Sequence, residues 1–261
     1  MSTTGRRCPD FDLATPVAID PAVLLPVEGE PRLLTQTKQF TLLLALVFND
    51  FKTVAWVHDR IEEGRPSQDE PLSGYSGQWS GFMLWVERIS AGMLHELYLL
   101  LDTYSQNRTI KCQYVERAVR RMPKEHRKVW RDHVADAISP SGEKIRKYMD
   151  DVRNKSAFHY RYRGTEMLNS YREHCQRDPT DPRRRFAYVS LGKNAEGTRF
   201  YFADAAVESD IRAFERTHRV PVAMRQDALR RLNFALRHVI AALLEELQDE
   251  STKRASAEAL K

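Results

Sequence analysis

Cysteine is scarce in this chain: Cys8, Cys112 and Cys175 are the whole complement, far apart and without a paired neighbour. No histidine recurs beside them at zinc-ligand distance, so neither a disulfide framework nor a structural zinc site is expected, and a reducing compartment is. Residues 1–12 are polar and lack the apolar stretch of a signal peptide. The longest greasy run covers only residues 42–48, against the roughly 20 apolar residues that cross a bilayer. These absences predict a cytoplasmic protein with no membrane partner. A dominant charge sign is missing too: 41 basic residues face 36 acidic ones, a formal surplus of +5. A surplus that small does not select a polyanionic partner; the placement of the arginines decides. No internal repeat is present.

What is there suffices for a packed core. Of the 261 residues, 42% are hydrophobic and 10% aromatic, enough for one large domain or two small ones. Prolines at 9, 16, 21, 26 and 31 each lack an amide proton and restrict the residue before them, so no helix runs through this stretch. Residues 1–32 are read as an extended arm that drapes over the body or stays mobile.

Helical periodicity begins next. Phe40, Leu43, Leu44, Val47 and Phe51 recur at three- and four-residue steps and predict a helix over 33–63. A Gly-, Pro- and Ser-rich break at 64–78 precedes a second helix over 79–104, carrying Phe82, Val86, Ile89, Met93, Leu97 and Leu101 at similar steps. The two predict an antiparallel helical hairpin. Shorter helices are expected at 110–121, 124–138, 142–160 and 165–177, with Ser141 as a cap. Aromatic, β-branched segments at 186–191 and 198–202 read as a β-hairpin. The last helix, 222–249, spaces Leu229, Leu232, Leu236, Ile240, Leu243 and Leu247 close to a heptad seam, facing either the core or a second copy. Residues 250–261 form a polar tail. The fold class is therefore all-α: a single helical bundle over 33–249 with a small β-hairpin insertion at about 186–202, within residues 183–203.

One segment carries chemistry. Arg153 is followed by Asn154, five residues separate it from His159, and Tyr160 and Tyr162 come directly after. Arginine presents a planar fork of donors that grips phosphate oxygens and keeps its charge. Histidine titrates near neutrality and serves as acid or base. RNA brings its own nucleophile, the 2′-hydroxyl, so a proton acceptor, a proton donor and a cation on the phosphate suffice. The bare spacing is weak, because Arg88–His95, Arg121–His126, Arg127–His133, Arg212–His218 and Arg231–His238 satisfy it as well. Only Arg153–His159 adds the asparagine, the flanking aromatics and a position late in the bundle.

That constellation resembles the signature of the HEPN superfamily: Arg, four to six residues, then His, often with a polar residue after the Arg. The resemblance spans residues 33–177 and is sharp only in the motif. It implies an all-helical, metal-independent endoribonuclease, acting as a toxin or defence effector, in which two copies of the motif face each other across a homodimer. By it, His159 is the general acid/base, Arg153 the phosphate clamp and Asn154 a positioning group. Tyr160, Tyr162, Glu87 and His95 would support them, and Lys155, Arg161 and Arg163 would contact nucleic acid. RNA, a second copy and an antitoxin or other protein are the implied partners. No metal and no cofactor are expected: His126 and His133, seven apart on one helix, lack a further ligand.

Other readings stand beside this one. On an ideal helix Arg153 and His159 lie roughly 120° apart, so they converge only if the helix bends or a partner completes the site. A half-buried His159, with Arg153 paired to Asp150 or Asp151, is the structural alternative. The basic stretch Arg117, Arg120, Arg121, Lys124, Arg127, Lys128 and Arg131, and the run 183–185, suit either a phosphate-binding surface or a solvated face. A non-catalytic helical scaffold that binds protein or nucleic acid, or a small-molecule or nucleotide sensor, fits the same composition.

Overall fold

The computed structural model describes residues 18–67, 73–154, 164–178, 180–181, 188–194, 198–219 and 224–259. Among them are eight α-helices: α1 (Arg32–Glu63), α2 (Gly74–Gln106), α3 (Gln113–Arg121), α4 (Lys124–Ile138), α5 (Glu143–Val152), α6 (Gly164–Arg177), α7 (Tyr201–His218) and α8 (Met224–Ala259). Two strands, β1 (Val189–Ser190) and β2 (Arg199–Phe200), pair antiparallel with Val189 opposite Phe200. The chain is all-α with a small β-hairpin.

The first two helices form the antiparallel hairpin that their periodicity predicts. At one end the Trp79 indole donates to the Ile61 carbonyl at 2.9 Å; at the other, the Phe40 and Tyr104 rings lie 4.8 Å apart. Against this pair lies α8, whose Leu232, Leu236, Leu243 and Leu247 are all but fully buried. Its seam faces the chain's own core and leaves no free dimer face along these leucines. Ala235, Val239 and Ala242 are buried beside them, a stripe wider than a coiled-coil seam and typical of a core-facing helix. A second, smaller cluster of Leu84, Val207 and Ile211 joins α2 to α7, with α6 packed outside through Met167.

Several boundaries differ from expectation for identifiable reasons. Helix α2 starts at Gly74, five residues before the predicted 79, because Ser73 and Ser76 form a reciprocal capping box, with side chain to backbone distances of 3.1 and 3.0 Å. Ser141 is not a cap; Pro140–Gly142 forms a 3-10 turn and Gly142 precedes α5. A Cβ on Gly142 would lie 1.9 Å from the Asp136 carbonyl oxygen, so only glycine lets α5 turn off α4 this closely. The hairpin is shorter than 186–202: Tyr201 and Phe202, read as strand, open α7, a helix the aromatic run concealed. The tail is not loose either, since α8 continues ten residues past 249 to Ala259. Of the arm, residues 18–31 drape over the body, with Val23 in the core and the buried Lys38 ammonium held 2.7 Å from the Leu25 carbonyl and 3.0 Å from Glu30.

Helix α1 is long and apolar enough to cross a membrane by length and composition, with a best-window mean hydropathy of 1.5. It buries Phe40, Leu44 and Phe51 completely or nearly so, while Leu42 and Leu46 on its other side are exposed and only 22% of its most apolar window is buried.

Two polar contacts fix helices across the core. Glu246, 1% exposed within the α8 stripe, meets Arg117 at 2.6 Å and Arg121 at 3.0 Å, both from α3. Tyr98 of α2 and His133 of α4 share a hydrogen bond of 2.9 Å between the phenol oxygen and Nδ1. Burial holds the His133 imidazole down at about 4, only partly opposed by the Asp132 charge, and pushes the Tyr98 phenol up.

Replacing Glu246 by Ala leaves two guanidiniums facing apolar surface and should cost about 3 kcal/mol in urea unfolding, the low end for a broken buried pair because both arginines still reach water. Lys128→Ala, which breaks an exposed pair with Asp132, should cost less than about 1 kcal/mol. The His133 sign follows from its depressed value: folded His133 stays neutral where the unfolded imidazole takes a proton. Stability is therefore full above about 6.5 and falls as pH drops toward about 4. Urea midpoints at about pH 7 and about pH 5 should fall further apart for the wild type than for His133→Gln; equal differences would remove His133 from the acid response.

Candidate functional site

Helix α5 is short and anchored on one side by Tyr148, Met149 and Val152, all buried. Asp150, Arg153 and Asn154 lie off that face, beside the middle of α2. Arg153 closes α5 in helical conformation, and the backbone at 153–154 widens into a π-type turn. Such widened turns occur often at functional sites. The regular α-geometry assumed for the motif therefore ends at its first residue.

Here a polar cluster assembles. Arg153 Nε stands 2.8 Å from Glu96 Oε1 on α2, yet its N–H is not aligned into a hydrogen bond; the contact is one of charge. Arg153 Nη1 donates to Asn154 Oδ1 at 3.3 Å, and Asn154 Nδ2 donates to Asp150 Oδ1 at 2.7 Å. The same Asp150 oxygen is 3.9 Å from His95 Nε2. The expected capture of Arg153 by Asp150 or Asp151 is not what forms: Glu96 takes it, and Asp151 instead meets His218 at 2.8 Å. Glu96 went unread because it is an ordinary exposed acid in sequence; its position beside His95, on the helix face turned to α5, is the only signal.

Of the supporting residues, His95 joins this cluster while Glu87, two turns earlier on α2, lines a separate cavity; the structure does not bring these two together. His159, Tyr160, Tyr162, Lys155, Arg161 and Arg163 lie outside the described residues, as do Arg183, Arg184 and Arg185.

The basic stretch is largely committed within the chain. Arg117 and Arg121 hold Glu246, Glu250 and Asp249 of α8. Arg127 donates to the carbonyls of Arg120 and Met122, and Lys128 pairs with Asp132. It fastens α3 and α4 more than it offers a phosphate-binding face. His126 and His133 do not converge: His126 stacks on His238 at 4.3 Å, and His133 holds Tyr98. Among the described residues no group of three or more His, Cys, Asp or Glu side chains could hold a metal ion.

The cavity that contains Glu87 is large, about 890 Å³, and is lined by residues of α1, α2, α4, α5, α6, α7, the hairpin and the start of α8. Pockets of small-molecule sites span roughly 300–1,000 Å³. Phe51, Leu84, Met149 and Leu229 provide apolar wall; His58, Asp59, Glu62, Asp136 and Glu208 bring polar groups to it. Burial raises the Asp59 carboxyl, but hydrogen bonds from His58 and Arg230 outweigh it and hold the group below its ordinary value. Small residues of α2 shape one wall. A Cβ on Gly77 would lie 2.5 Å from the Tyr201 ring, and one on Gly81 would strike the Arg199 guanidinium. Glycines 74, 77 and 81 stand at helical steps on one face, a signal of this close approach that reading 64–78 as a break passed over.

No family model, no curated protein and no solved structure matches this chain.

Proposed function

We propose that this chain is a metal-independent endoribonuclease of HEPN type, a toxin or defence effector. The reading rests on the Arg153–Asn154…His159 motif, and the observation that supports it best is the Arg153 site itself. The guanidinium is held at the surface, about a third exposed, and among the described residues its carboxylate partner is Glu96, itself half exposed. Such a pair is worth about 0–1 kcal/mol, so a phosphodiester can displace Glu96 at little cost while Asn154 keeps the guanidinium oriented. In the cleavage step a base removes the 2′-hydroxyl proton and the alkoxide attacks the adjacent phosphorus. Arg153 bears the charge that builds on the phosphoryl oxygens, and an acid returns a proton to the departing 5′-oxygen. The products are a cyclic 2′,3′-phosphate and a free 5′-hydroxyl. His159 fills one proton role; a second imidazole, from His95 or from a second copy, fills the other.

The second reading, a non-catalytic helical protein, is favoured by the internal pairing of the basic stretch. Incubation of the purified protein with RNA in EDTA separates the two. The first expects cutting that His159→Ala or Arg153→Ala lowers by about 10²-fold or more, with helical circular dichroism retained and cyclic phosphate ends on the products. Intact RNA at high protein concentration, or wild-type rates in both variants, overturns it.

A further inference from the structure

The arginines of α3 are consumed by the fold, but two of α8 are not. They flank Phe234, an aromatic side chain 53% exposed on that helix. Its surface neighbours three and four residues away in either direction are Arg230, Arg231, Arg237 and His238. Arg230 is held by Asp59 at 2.8 Å. Arg231 and Arg237 are exposed and form no ion pair among the described residues. Between residues 228 and 244 the helix has no acidic residue at all.

The phenyl ring is backed by a stack. His126 of α4 lies 6.0 Å from it, tilted by 23°, and His238 lies 4.3 Å from His126, tilted by 17°. The surroundings are positive: the His238 imidazole is held below its ordinary value by burial and then by the charges of His126 and Arg237, against the opposing charge of Glu125. Glu125 stands 3.8 Å from His126 Nε2 with a side chain 73% exposed, where water screens it. These features select an occupant. A protein or lipid surface would seek further apolar side chains beside Phe234, and none of its four neighbours is apolar. An acidic peptide supplies charge but few flat faces. A single nucleic-acid strand supplies both, since every base has a π-face that stacks on an aromatic ring and every link a phosphate. Arg231 and Arg237 lie roughly 9 Å apart along the axis, one on each side of the ring, so a base stacked there has a guanidinium toward each flanking phosphate.

We propose that the surface of α8 around Phe234 binds single-stranded nucleic acid, with a base stacked on the Phe234 ring and the adjoining phosphates held by Arg231 and Arg237. The site stands on α4 and α8, not beside Arg153, and it does not depend on whether the chain cuts RNA.

Fluorescence anisotropy of the full chain tests it with labelled oligothymidine and with 2′-O-methyl oligouridine, neither of which offers a free 2′-hydroxyl for cleavage. Both should bind, and an abasic strand of the same length should bind about tenfold more weakly. Phe234→Ala should weaken oligothymidine binding by about tenfold, with helical circular dichroism retained and the salt dependence unchanged, while Phe234→Trp keeps wild-type affinity. Arg231→Ala combined with Arg237→Ala should instead flatten the dependence on salt, lowering the log–log slope by about 1.4 between about 50 and 200 mM. No binding of either strand, equal affinity for the abasic strand, or undiminished binding by a folded Phe234→Ala protein overturns the proposal.

Discussion

The apolar stripe of α8 is the constraint on which the rest of this molecule depends. Leu232, Leu236, Leu243 and Leu247 sit against α1, α3 and α4 at once, and each fully buried leucine contributes about 1.5–3 kcal/mol over an exposed one. The stripe runs on into Glu246, whose carboxylate takes two guanidiniums of α3. An ion pair in that position adds little net stability compared with a leucine, because desolvation consumes most of the Coulombic gain. It does fix register, since α8 slipped by one turn against α3 would carry the buried Glu246 carboxylate away from both guanidiniums. The basic stretch of α3 is thus explained by the fold, and it does not require a polyanion.

With α8 holding one side of the α1–α2 hairpin, α5 and α7 close the other. The consequence for α5 is geometric. A helix of ten residues pinned by Tyr148, Met149 and Val152 has no freedom to rotate, so its last turn must present Asp150, Arg153 and Asn154 to the flank of α2. The motif's arginine is consequently placed by core packing and held, among the described residues, by the Glu96 carboxylate and the Asn154 amide oxygen. The proposed phosphate capture would draw on this arrangement: the guanidinium is positioned in advance, and an exposed pair is weak enough to exchange.

Much of the bundle was legible because its signals are local. Pro123 restricts the residue before it and opens α4 at the predicted Lys124; the leucine spacing placed α8 and told which face is buried. What escaped depended on contacts between distant segments. Tyr201 and Phe202 have strand propensity, but Tyr201 packs on Gly77 of α2, and the alanines that follow wind into α7; tertiary packing outweighs a propensity difference of well under 1 kcal/mol per residue. The Glu96–Arg153 pair joins residues more than fifty positions apart, and no periodicity encodes it. The resemblance to HEPN proteins drew attention to the end of α5, while the partner that holds Arg153 could only come from the packing of α2.

The same helix pair separates two polar environments. On the α5 flank of α2, Arg153 is near the surface, where water screens each pair and exchange is cheap. Toward α1 and α7 the carboxylates of the cavity are already engaged: Asp59 with Arg230, Glu62 with Arg65 and Asp204 with Arg199. Helix α2 can hold both because its faces are chemically distinct. Gly77 and Gly81 admit Tyr201 and Arg199 to the cavity side, Leu97 and Leu101 fill the core, and His95 and Glu96 meet α5.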